Sequence, residues 1–220
     1  MSSGAIAQPK SGSSEPTVVR YDFSERACHW TNGIAYTYLL LSGLALFTPY
    51  LYWVGTVLGG GATIRFLHPL VGLIYTGTIL WMHSKWKSDM VAIPADKQWT
   101  ANLKSYLENH DSAMPAQGRF NAGQKQFYWA MFYSAGILVI TGLILWFPEK
   151  MPSNLHWLLP LTVFIHSATA LVTVAAFIIH VYMSVWGTPG SSAGMVGGTV
   201  PASWARTHHR LWYEKITGRK

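Results

Sequence analysis

Nitrogen ligands set in apolar sequence are the first feature of this chain that could do chemistry. The stretch "VFIHSATALVTVAAFIIHVYM", residues 163–183, is apolar enough for a membrane interior, yet it holds His166 and His180. An imidazole in hydrocarbon is costly and needs a partner. Fourteen residues of helix rise about 21 Å and make about 3.9 turns, so both rings face nearly the same way at two depths. One helix face thus offers two nitrogen ligands to two stacked metal centres, with electrons hopping between them.

The elements that must position these ligands are spanning helices. Half of the 220 residues are hydrophobic and 11% are charged, against roughly a quarter in an average soluble domain. A span needs about 20 mostly apolar residues. Four segments meet this, at about 27–47, 64–86, 124–147 and 160–186. The first stops at Thr48-Pro49 and the third at Pro148; Pro160 suits the first turn of the fourth. The expected fold class is therefore an all-α integral membrane protein of one domain, residues 1–220, with its metal centres held inside a four-helix bundle. Residues 1–22 read as a flexible tail, Ser, Gly and Pro rich and without the apolar core of a signal peptide. Residues 187–220 form a second tail, mixing aromatic and basic residues, which suits a lipid surface or another subunit.

Basic residues set the orientation. Of sixteen Lys and Arg, fourteen fall in the N-terminal segment, the loop after the second span or the C-terminal tail; Arg65 and Lys150 lie on the other side. By the positive-inside rule both termini and the long middle loop are cytoplasmic. The net charge of +7 is accounted for in this way without nucleic acid as a partner. A single cysteine, Cys28, excludes an intramolecular disulfide and CxxC metal sites, and no C-x-x-C-H for covalent haem is present. No repeat of helix pairs of the inverted kind used by transporters is evident.

Each metal centre needs a second ligand from another helix. "RFLHPLVGL" puts His68 near the outer face, and "RACHWTNGI" puts His29 near the inner face. The depths pair His68 with His166 and His29 with His180. Neutral imidazole is a common axial ligand of haem iron. A small residue stands four positions after each of the four (Gly33, Gly72, Ala170, Ser184), leaving room for a porphyrin; after the rival His83 stands Lys87. Arg26 and Arg65 precede His29 and His68 by three residues, where each guanidinium either pairs with a haem propionate or snorkels to the interface. In "NAGQK", Asn121 and Gln124 read as a capping box for the third span, with Lys125 at the membrane surface. An amide and unpaired N–H groups at that helix start also suit a quinone carbonyl. His110, His208 and His209 read as solvated or partner-contacting, and His156 as interfacial.

"RACHW", "LHP", "FNAGQK", the pair His166 and His180, and "WARTHHRLWYEK" together resemble the gamma subunit of membrane-bound formate dehydrogenase, a di-haem cytochrome b family with four spanning helices. The resemblance covers the chain after about residue 19. Related cytochromes serve nickel–iron hydrogenases and thiosulfate reductases; "NAGQK" points to the formate branch. It implies two haem b, with His68 and His166 on the outer iron and His29 and His180 on the inner. It implies a menaquinone or ubiquinone site beside the inner haem, involving Asn121, Gly123, Gln124 and His180. The implied partners are an iron–sulfur beta subunit and a molybdenum- or tungsten-containing alpha subunit on the periplasmic side of the bacterial inner membrane, with membrane lipid around the chain and a higher-order oligomer of the heterotrimer as an option.

The leading expectation is an electron-transfer membrane anchor that reduces quinone at the cytoplasmic side, with no site of its own for formate chemistry. The same cytochrome serving a hydrogenase or another molybdenum oxidoreductase is the alternative within that class. From another class, a proton or metal transporter would use the histidines as relay or ligand groups and would be colourless.

Overall fold

Proline and glycine set the helix ends. In the computed structural model, which describes residues 6–7 and 15–218, helix α1 (Phe23–Phe47) gives way at Thr48 to a 3-10 turn begun by Pro49. The short α2 (Tyr52–Val57) follows, then Gly59 and Gly60, whose φ of +97° and +89° only glycine adopts without strain. Helix α3 (Gly61–Trp86) runs through Pro69, beside His68, so one backbone hydrogen bond of that turn is missing. Helices α4 (Pro94–Ala101) and α5 (Leu103–Leu107) fill the next segment. Helix α6 (Ala122–Trp146) stops ahead of Pro148, and α7 (Leu159–Tyr182) opens with Leu159-Pro160 and runs into a π-helical turn at Met183–Gly187. Helices α8 (Ser191–Gly197), α9 (Ala202–His208) and α10 (Arg210–Thr217) complete the chain.

Three helical runs, Gly61–Trp86, Ala122–Trp146 and Ser153–Gly187, are long and apolar enough to cross a membrane. Their large side chains point outward: Ile140 is 64% exposed and Phe164 68%. Such a surface is stable against lipid and unfavourable against water. Helix α1 is as long, at 25 residues, but its first turns carry Glu25, Arg26, His29 and Asn32 and dilute its apolar character.

The described residues fall into two compact units. Residues 27–84 and 129–177 form one, which contains most of the four long helices. Polar side chains join its helices in pairs. Asn32 of α1 donates to Thr78 Oγ1 of α3 at 2.8 Å, and Tyr36 of α1 donates to Thr173 Oγ1 of α7 at 3.0 Å. In lipid such bonds contribute about 0.6–2 kcal/mol each.

The other unit comprises residues 1–26, 85–128 and 178–220. Its sheet has the order β1 (Ile6–Ala7), β2 (Thr17–Val19), β3 (Thr199–Pro201), antiparallel throughout, with Val18 opposite Val200. Val18, Val200, Ala202, Ala205, Trp212 and Tyr213 make its core. Above it the Arg20 guanidinium sits in an aromatic cage, 4.6 Å from the Trp212 ring centre and within 6 Å of Tyr21, Phe120 and Trp204. It bonds the Arg119 carbonyl and His209 Nε2. Arg119 in turn holds both oxygens of the buried Glu25, at 2.8 and 2.9 Å, and Asp89 at 3.1 Å. Glu25 also takes the Trp86 indole N–H at 2.7 Å and the Asp22 backbone N–H, while Asp22 caps the Glu25 N–H: a capping box at the start of α1.

Several expectations change here. Residues 17–19, read as flexible tail, are the middle strand of the sheet; residues 1–5 and 8–14 lie outside the described residues. The C-terminal tail folds onto β2 through β3 and α9 rather than reading as a free amphipathic surface. His209, expected to be solvated, is 1% exposed, because its ring fills the space between Arg20 and Gly118. Lys125 is buried in an ion pair with Asp96 at 2.8 Å, a partner the sequence did not indicate.

The Gly118 carbonyl can only accept, so His209 Nδ1 carries the proton and Nε2 accepts from Arg20. Burial, then the Arg20 charge, holds the His209 pKa well below its ordinary value. Below about pH 6.5 the unfolded chain takes up a proton that the folded chain refuses. Stability of this unit should therefore be complete above that pH and decline as pH falls beneath it. Hydrogen exchange of residues 199–217 measured across that range should show the loss, and His209→Asn should flatten it.

Candidate functional site

Histidines on the long helices occupy distinct surroundings. His68 of α3 places Nδ1 2.8 Å from Ser42 Oγ of α1, and His166 of α7 places Nδ1 2.8 Å from Thr141 Oγ1 of α6. Each hydroxyl has one hydrogen. Ser42 commits its hydrogen to the Tyr38 carbonyl at 2.7 Å, and Thr141 commits its own to the Ile137 carbonyl at 2.7 Å. Both oxygens must then accept from the imidazoles. This makes His68 and His166 Nδ1–H tautomers, each with an Nε2 lone pair left for a metal. A Cβ added at Gly43 or Gly142 would lie 3.4 Å from the Cε1 of His68 or His166 respectively, so each ring packs against the backbone of the facing helix. The two imidazoles are close enough to interact electrostatically.

His29 of α1 stands edge-on to Trp30, with ring centres 5.6 Å apart. His180 lies flat on Phe127 of α6, with centres 4.4 Å apart and planes within 7°. His83 of α3 stacks on Phe132 at 4.4 Å and meets the edge of Trp129. Arg26 lays Nη1 over Gly198, and its buried Nε has no hydrogen-bond partner among the described residues. Arg65 is exposed.

At the start of α6 the Gln124 N–H donates to Asn121 Oδ1 at 2.9 Å, and the Asn121 N–H donates to Gln124 Oε1 at 3.0 Å, the capping box read from the sequence. Gly123 is needed there because Trp99 lies on it: a Cβ would come within 2.8 Å of the indole. Asn121 Nδ2 reaches Tyr106 OH at 3.4 Å, and Tyr106 shares a hydrogen with Thr188 at 2.8 Å. A small cleft opens beside these residues, with Asp111 and His208 also in its lining.

No cluster of three or more His, Cys, Asp or Glu suited to a bare metal ion occurs among the described residues. A centre that brings four equatorial nitrogens of its own asks less of the protein, namely one imidazole on each side. The donor set fits such a group. His68 and His166 are locked in the tautomer that binds iron through Nε2, and the buried Nε of Arg26 lacks an acceptor of the kind a propionate supplies. Ser42 and Thr141 were not among the candidates singled out from the sequence. Their signal was present in "SGLALFTP", residues 42–49, and "TGLILWFP", residues 141–148, two copies of one pattern at the ends of α1 and α6.

Long apolar helices with paired histidines are the architecture of a membrane cytochrome of the b class, whose haem is held without covalent attachment. Residues 20–198 match the family described as prokaryotic cytochrome b561, and the chain belongs to that family. It is 32% identical over 199 residues to the cytochrome b556(Fdn) subunit of the nitrate-inducible formate dehydrogenase of Escherichia coli K12, spanning 90% of this chain and 91% of the relative. The cytochrome b556(fdo) subunit of formate dehydrogenase from the same organism is 28% identical, over 91% and 93% of the two chains. The formate dehydrogenase cytochrome b556 subunit of Haemophilus influenzae is 27% identical, over 92% and 85%. Membership of a cytochrome family decides for a haem protein and against the colourless transporter.

Trp99 packs on Tyr106 as well as on Gly123, with ring centres 4.7 Å apart. Gly123→Val should displace the indole and cost about 1–3 kcal/mol. A lowered midpoint of thermal unfolding with unchanged haem content is the expected result.

Proposed function

We propose that this chain is the di-haem membrane anchor of a formate dehydrogenase, passing electrons from a periplasmic iron–sulfur subunit to quinone at the cytoplasmic side of the bacterial inner membrane. The observation that carries this reading is near full-length similarity, at 27–32% identity, to three cytochrome b556 subunits of formate dehydrogenases. The partners are then an iron–sulfur subunit and a molybdenum- or tungsten-containing subunit, in a heterotrimer that can assemble further.

Helix α1 serves as the fourth span. Its polar first turns face the cytoplasmic side, where its capping box and the Arg119–Glu25 pair hold it, and its apolar remainder, from about residue 33, enters the lipid. Both termini lie in the cytoplasm on this reading, which the distribution of basic residues supports. Bound haem b would supply a one-electron couple at each of two depths. His68 and His166 would hold the outer iron through Nε2, and His29 and His180 would hold the inner. Arg26 and Arg65 would neutralise propionates.

Quinone binds at the cytoplasmic start of α6, where the helix leaves N–H groups without backbone partners. Its residues are Asn121, Gly123, Gln124 and His180. The cap occupies Asn121 Oδ1 and leaves its Nδ2, which has one long contact to Tyr106, to donate to a quinone carbonyl. The same helix lays Phe127 on His180 and so ties the quinone end to the inner ligand. Protons enter from water in the cleft beside Tyr106 and Asn121. Inward movement of electrons, with protons taken from the cytoplasm, stores about 2.3 kcal/mol per charge per 100 mV.

Reduced-minus-oxidised spectra of the purified complex should show two low-spin b haems that formate reduces. His68→Ala and His166→Ala should each remove the same haem and leave the other; retention of both in either variant refutes the outer pairing. Asn121→Ala should keep both haems and slow quinone reduction, and unchanged turnover would discard the quinone assignment.

A further inference from the structure

The hydroxyls that hold His68 and His166 are matched in every respect the geometry shows. Each is followed by glycine, each sits seven residues before a proline that ends its helix, and each belongs to the first helix of a hairpin whose second helix carries the histidine. The histidine comes 26 residues after Ser42 and 25 after Thr141. Both hydroxyls donate to the carbonyl four residues earlier on their own helix and accept from Nδ1 at 2.8 Å. Ser42 is 0% exposed and Thr141 7%, so water does not compete for either bond. Helices α1 and α3 thus repeat in α6 and α7, in parallel sense rather than inverted.

We propose that Ser42 and Thr141 are paired positioning residues that set the electron richness of the two outer haem ligands and hold that haem's reduction potential down. This rests on the assignment of His68 and His166 as those ligands. The physical chain is short. An acceptor on Nδ1–H draws the proton away from the ring and makes Nε2 a better donor to iron. A better donor stabilises the ferric state, which lowers the potential. Because each hydroxyl has given its own hydrogen to a carbonyl, its oxygen is a stronger acceptor than an isolated alcohol. It remains neutral, so the site gains this basicity without placing a carboxylate in hydrocarbon. With a matched hydroxyl behind each imidazole, both of the bonds they would make to one iron would be strengthened together. The bond also restrains ring rotation, since Nδ1 must stay within reach of the hydroxyl.

Redox titration of the intact purified complex tests this. Ser42→Ala and Thr141→Val should each keep two haems and raise the midpoint of one, the haem that His68→Ala removes, and the double variant should raise it further. Ser42→Thr and Thr141→Ser restore the acceptor and should keep the wild-type midpoint and the wild-type low-spin electron paramagnetic resonance signal. Loss of the haem in Ser42→Ala with retention in Ser42→Thr supports the same role. Unchanged midpoints in both Ser42→Ala and Thr141→Val overturn the inference, as does an equal shift or equal haem loss in the hydroxyl-retaining variants, which would make the effect one of packing. Retention of both haems in His68→Ala instead removes the ligand assignment, and the inference falls with it.

Discussion

A neutral imidazole in hydrocarbon has two nitrogens to satisfy, and this constraint organises the membrane helices. One nitrogen must give its hydrogen to an acceptor, and the other must give its lone pair to something. Water is absent and a carboxylate would be expensive there. The chain answers with a hydroxyl whose hydrogen is already committed to its own helix backbone, so that the oxygen can only accept. Every consequence for the outer pair follows. The tautomer is settled, Nε2 keeps its lone pair, and each ring lies against a glycine of the facing helix.

The other unit solves a different problem with the same economy. Two of its cations, Arg20 and Lys125, are buried, and Arg119 is nearly so. Arg20 is covered by four aromatic rings, and its Nη2 bonds a carbonyl and a neutral histidine. Arg119 meets two carboxylates, and Glu25 is satisfied from three directions, including the indole of Trp86. Glu25 also closes the capping box of α1, so the start of the first long helix and the ion-pair network depend on one side chain. Strand pairing of residues 17–19 with 199–201 then joins stretches near the two ends of the chain.

Residues proposed to hold iron project from the long helices, and two of them, His68 and His166, are each fixed by a single hydroxyl bond. Those proposed to meet quinone lie where α6 begins, among capped amides and a tyrosine–threonine pair beside an open cleft. A redox cofactor needs rigid ligands in a dry place, while a quinone must arrive, take protons and leave. Phe127, flat on His180, belongs to the helix that starts at Asn121 and so connects the two requirements through a single rigid element.

Much of this was legible beforehand. Apolar runs and prolines located all four long helices to within a few residues of their ends, because hydrophobic length and a missing N–H are local properties. The spacing of His166 and His180, and the capping box at Asn121, were readable for the same reason: helical geometry converts sequence distance into direction. What the sequence did not disclose depends on which surfaces meet. His209 and Lys125 look like solvated tail and interface residues until Gly118 and Asp96, 91 and 29 positions away, are seen to close over them. The acceptor roles of Ser42 and Thr141 were hidden although their motif is repeated, because a hydroxyl in a helix ordinarily bonds its own backbone and nothing in one dimension reveals a second partner. By itself, then, the chain indicated its long helices and its candidate ligands. Tertiary packing alone decided which imidazole nitrogen is free, since only a neighbour brought within 2.8 Å can take the other hydrogen.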